Sequence, residues 1–143
     1  MIFILSACDT TDQEHFDVQP ELRTYVNQFF IEAGTRNAIV HKQDLMISIK
    51  SLPKESSAWG MTYYEDPIKI AIDKDFYYKN YGSEEGRLKI EYIVFHELGH
   101  ALLGRAHVET YSIMNYKTAY IEYYASSTSC RKALIDELFQ NRK

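Results

Sequence analysis

The stretch from Ser83 to Gly104 constrains this chain more than any other. Ser83 has the side chain of a helix N-cap, and Glu84 and Glu85 fall in the first turn, where negative charge suits the helix dipole. Gly104 is a natural stop. Between them Leu88, Tyr92, Phe95 and Leu102 mark one apolar face, and Ile93, Val94, Leu98, Ala101 and Leu103 carry apolar character round most of the helix. A helix apolar on most sides is central and buried, so the rest of the chain must pack around it.

The surrounding elements follow from their periods. Pro20 to Ala33 reads as a helix, because Leu22, Tyr25, Val26, Phe29 and Phe30 recur at helical spacing, with Gly34 as its expected stop. Leu45–Lys50 and Trp59–Tyr64 are strand candidates. Ile68–Asp73 alternates as a half-buried strand does, and Glu65-Asp66-Pro67 joins the last two as a hairpin. Asp75 to Tyr81 is a short helical or looped piece, and residues 105–126 show no clear period. Ser127 to Phe139 closes the chain as a helix that buries Leu134, Ile135, Leu138 and Phe139. Helix, strands, helix, irregular segment, helix: this order predicts an α+β domain.

A length of 143 residues suits one such domain. With 45% hydrophobic residues, 6 Gly and 3 Pro, collagen-like and disordered classes are excluded. A net charge of −4 argues against a nucleic-acid partner. Two cysteines cannot build a disulfide framework, and Cys130 is expected as a buried small apolar residue. The apolar run Ile2–Leu5 is too short to span a bilayer, which takes about 20 residues. Leu5-Ser6-Ala7-Cys8 nevertheless resembles the lipobox of bacterial lipoproteins, and residues 9–17 read as a solvated tether. That resemblance implies a leader that is cleaved, a lipid carried on Cys8, and an exported protein at the bacterial cell envelope that meets the membrane only through its anchor. Residues 1–17 are then leader and tether, and 18–143 the folded domain.

The central helix carries His96-Glu97-Leu98-Gly99-His100. Histidines at i and i+4 lie one turn apart on one face, so both imidazoles can reach one metal ion. Glu97 lies about 100° round from His96, out of line for a third ligand but within reach of a water beside the metal. This is the general-base geometry of zinc hydrolases. Gly104 then breaks the helix and lets His107 offer a third imidazole from outside it. His15 and His41 read as surface residues.

From His96 to His107, followed by Ser112-Ile113-Met114-Asn115-Tyr116, the chain resembles the metzincin clan of zinc endopeptidases. The resemblance implies a zincin-like domain, a small twisted mixed sheet with an active-site helix, an N-terminal helix and a C-terminal helix, in which His96, His100 and His107 bind Zn2+, Glu97 is the base and Met114 forms a hydrophobic floor. It makes Tyr116 a further ligand or an oxyanion donor. The clan pattern is H-E-x-x-H-x-x-G-x-x-H. Here one extra residue stands between His100 and Gly104, which turns the helix exit by about 100°. Glu109 and Glu122 therefore stay open as alternative third ligands.

The resemblance further implies a monomeric zinc endopeptidase acting on peptide or protein substrates, bound along the Trp59–Tyr64 strand as the edge of the sheet. Tyr111, Tyr116, Tyr120, Tyr123 and Tyr124 would wall its specificity pocket. Two rival readings stand beside it: a non-catalytic zinc lipoprotein that binds peptides or proteins, and a zinc hydrolase of a non-peptide amide.

Overall fold

A computed structural model describes residues 16–41 and 43–140. Its elements run β1 (Phe16–Val18), a 3-10 turn (Pro20–Leu22), α1 (Arg23–Thr35), β2 (Leu45–Lys50), β3 (Gly60–Tyr63) and β4 (Ile68–Asp73). Then follow α2 (Lys74–Asn80), α3 (Glu84–Leu103), α4 (Ile121–Ser126) and α5 (Thr128–Leu138). The class is α+β, with one small mixed sheet in the order β1-β2-β4-β3. β1 and β4 lie parallel to β2, and β3 returns antiparallel along β4 with Thr62 opposite Ile70.

α3 is the hub. Its Ser83 cap accepts from the Gly86 N–H at 2.9 Å, as the sequence predicts. From Ile90 to Gly99 every residue is buried. The helix packs against β3 and β4, against α1 and α2, and against α4. Phe29 of α1 meets Phe95 edge-on with ring centroids 5.4 Å apart, and both rings are fully buried. Truncating such a phenylalanine to alanine costs about 3–5 kcal/mol. β2 and β4 bury Leu45, Ile47, Ile68, Ile70 and Ile72 in the same core.

Several sequence expectations are corrected. Residues 16 and 17, read as part of a tether, are not one: Phe16 and Asp17 pair in β1, and Phe16 stacks on Phe30 at 5.6 Å. The first helix opens as a 3-10 turn at Pro20 and runs through Gly34 to Thr35, so Gly34 does not stop it. α4 lies inside the segment read as aperiodic, because six residues are too few to display a helical period. Cys130 is partly exposed, since it sits in the first turn of α5 just after the Ser127 cap. Cys8 and His15 fall outside the described residues. No helix among those described is long and apolar enough to cross a membrane.

Candidate metal centre

His96, His100 and His107 come together, and their ligand atoms all lie within 4.8 Å of one another. His96 Nε2 is 3.1 Å from His107 Nε2. His96 Nδ1 donates to the Ile113 carbonyl at 2.7 Å, and His100 Nδ1 donates to the Arg105 carbonyl at 2.7 Å. A carbonyl only accepts, so each Nδ1 carries the proton and each Nε2 keeps a bare lone pair. Burial pushes the pKa of His96 down to about 4, against the pull of its bond to Ile113, and the other two imidazoles push the same way. Burial lowers that of His100 as well. Both rings are therefore neutral near pH 7, with ring orientation and tautomer set by backbone. Convergent neutral imidazoles of this kind can hold a metal ion, and the donor set fits zinc.

The extra residue before Gly104 is absorbed at the helix terminus. The Gly104 and Arg105 N–H groups both donate to the Gly99 carbonyl, a turn wider than the regular helical one. Gly104 takes φ 64°, which an L side chain resists, and the chain swings back toward the helix. His107 then faces His96 and His100. The next segment is pinned beside it: Val108 N–H donates to the Met114 carbonyl at 3.0 Å and Tyr116 N–H to the Val108 carbonyl at 3.2 Å.

Met114 is fully buried against Gly99 of the same helix that carries His96 and His100. A Cβ on Gly99 would lie 2.6 Å from its sulfur, so this helix position has no room for a side chain. Glu109 and Glu122 lie outside the histidine cluster, and Glu122 pairs with Lys89 at 2.9 Å.

Glu97 is buried next to the cluster, its Oε2 3.9 Å from His96 Nε2. Thr62 Oγ1 donates to Oε1 at 2.7 Å. Burial pushes the carboxyl pKa up to about 7, while the Thr62 bond pulls the other way. A cation among the histidines would draw it back down. Thr62 was not singled out from the sequence. Gly60, two residues before it, is the signal that was there: a strand glycine marks close approach of another element. A Cβ on Gly60 would sit 3.0 Å from Glu97 Cγ.

These groups open into a cleft of about 850 Å³. It is lined by the chain from Glu55 to Thr62 and Tyr64, and by Tyr116, Lys117 and Thr118. β3, the edge strand of the described sheet, contributes Gly60, Met61 and Thr62 to this lining. The tyrosine wall expected from the sequence is reduced to Tyr116. Tyr111 packs edge-on against Tyr120 and Tyr123, and Tyr124 is fully buried beside Tyr92. These four rings therefore pack on one another and on Tyr92 instead of lining the cleft, and Tyr111 and Tyr123 stay partly exposed. Comparisons with protein-family models, curated proteins and solved structures find no match.

Proposed function

We propose that the chain is a zinc-dependent endopeptidase of metzincin type. The observation that carries the reading is the convergence of three imidazoles beside a buried carboxylate that no cation pairs with among the described residues. His96, His100 and His107 hold the metal. Bound there, zinc supplies a Lewis acid that acidifies a water and polarises the carbonyl to be cleaved. Glu97, held at Oε1 by Thr62, keeps Oε2 toward the cleft, takes the proton of the attacking water and hands it to the leaving amine. Met114 is the floor that keeps the imidazoles from sinking into the core. Tyr116, which lines the same cleft, donates to the developing oxyanion. The outer edge of β3 offers backbone groups to an extended peptide, which favours a peptide over a smaller amide.

Cleavage of an unstructured protein by the purified chain tests this. It is expected to stop with a chelator and return with zinc. A metal-loaded chain that cleaves no peptide would overturn it in favour of a binding module. In His107→Ala, zinc affinity should fall by on the order of a hundredfold or more, since loss of a ligand exceeds loss of a ligand's support. Unchanged affinity would remove His107 from the set.

The same reading has the protein act as a monomer; it is exported and anchored through lipid on Cys8, this last on the strength of Leu5–Cys8 alone. Mass spectrometry of the native protein should find a lipidated Cys8 as the first residue, and an intact Met1 would refute the anchor.

A further inference from the structure

The two carbonyls that orient the histidines belong to irregular backbone. Arg105 follows the helix break, and Ile113 lies in a turn. Backbone bonds pin each segment in part, and one side chain that the sequence does not single out reaches both: Glu137 in the last turn of α5. Arg105 Nη2 donates to Glu137 Oε2 at 3.1 Å, and Nη1 reaches Oε1 at 3.4 Å. Nη1 also donates to the Glu137 and Leu138 carbonyls, at 3.2 and 3.1 Å. A cation at the C-terminal end of a helix is favoured there by the exposed carbonyls and the dipole. Arg105 is thus bound both to the acid and to the end of the helix that carries it. On the other side, Ser112 Oγ donates to Glu137 Oε1 and accepts from the Met114 N–H at 2.9 Å. Ile113, between Ser112 and Met114, is the residue whose carbonyl takes the His96 proton.

The pair is shielded from water, with the Arg105 and Glu137 side chains 8% and 13% exposed. Ser112 is fully buried. Leu138, next to Glu137, lies against the same glycine as Met114: a Cβ on Gly99 would be 3.3 Å from its Cδ1.

We propose that Glu137 is a positioning residue for the metal centre: through Arg105 and Ser112 it holds the two backbone carbonyls that aim His100 and His96. One carboxylate thereby sets the tautomer and direction of two imidazoles from the far end of the chain. Supporting groups of this kind typically change metal affinity by about 10–100-fold when lost. The inference rests on the metal-binding reading above.

The test is zinc affinity of the full chain, by competition with a chromophoric chelator, together with the absorption spectrum of the cobalt-substituted protein. Both are read well below the unfolding temperature. Glu137→Gln keeps the shape but removes the negative charge and puts an NH2 donor where one carboxylate oxygen accepted, so the charge-assisted pair with Arg105 is lost and the hold on Arg105 and Ser112 together is weakened. Ser112→Ala cuts only the branch to Ile113 and Met114. Each is expected to weaken zinc binding about tenfold or more and to alter the cobalt spectrum. Lys132→Ala, an exposed change on the same helix, should leave both unchanged. A purely structural role for Glu137 would lower the unfolding temperature and leave the affinity and spectrum of the folded protein untouched. That result overturns the proposal. If Glu137→Gln does not fold, Ser112→Ala decides alone. A parent chain that takes up neither zinc nor cobalt overturns the metal reading, and the positioning role with it.

Discussion

Glu91 and Glu97 are two glutamates on one helix, equally buried at 8% and 5% exposure, and their surroundings are opposite. Glu91 accepts from Arg131 Nε at 2.7 Å and from the Tyr124 hydroxyl. Arg131 continues to Glu32, Glu32 to Arg36, and Arg36 to Asp136, so the charge is closed into a network that ties α1, α3, α4 and α5 together. Glu97 has one neutral donor, Thr62, and faces an open cleft. Burial alone therefore does not mark a working carboxylate. A buried carboxylate with a cation is a brace. One left without a cation, beside groups that can gather a metal, is the candidate for the proposed general base.

The sharpest way to break this comparison is turnover. Glu97→Gln should lower kcat/KM by about 10²–10⁴-fold with zinc stoichiometry unchanged, whereas Glu91→Gln, in whatever fraction folds, should retain the activity of the parent. Equal losses at the two positions would erase the distinction.

Stability of the metal-free protein should then move in opposite directions. Folded Glu97 holds its proton up to about pH 7, while the unfolded chain releases it near the ordinary value of 4.5. Between those limits the folded state binds more protons, so this group's contribution to stability falls as pH rises from about 4.5 to 7. Glutamine cannot ionise, and metal-free Glu97→Gln at pH 8 should be more stable than the parent by up to about 3 kcal/mol. Glu91→Gln should be less stable by about 3 kcal/mol, because Arg131 then loses its closest carboxylate in a mostly buried site. Urea unfolding with excess chelator measures both, and a destabilised Glu97→Gln would contradict the assignment.

Smaller effects sharpen the comparison. Thr62→Val removes the one donor to Glu97 and should cost about tenfold in kcat with KM little changed, while Thr62→Ser restores most of it. Tyr124→Phe removes one of the two donors to Glu91 and should cost about 1 kcal/mol of stability, with no change in turnover.

The residues that were legible in the sequence are those whose partners are close along the chain. His96, Glu97 and His100 share two turns of helix, and Gly104 and His107 follow at once. The β3–β4 hairpin is local too. The residues that were not legible depend on distant partners. Nothing near Glu91 announces Arg131, and nothing near His100 announces Glu137. Thr62 meets Glu97 only because β3 folds against α3. The tyrosines after His107 looked like a cleft wall because their spacing says nothing about which rings pair.

The sequence by itself determined the central buried helix, the two histidines and the carboxylate it carries, and a third imidazole placed just past its break. It could do so because helical period and turn chemistry act over a few residues. Only the tertiary structure decided the order β1-β2-β4-β3, which makes β3 an edge beside the cleft. It also decided that His107 faces the helix despite the longer spacing, and that Glu91 is neutralised while Glu97 is not. Those outcomes depend on which groups meet once backbone carbonyls and side chains from separate elements are packed away from water, and no periodicity along the chain encodes such meetings.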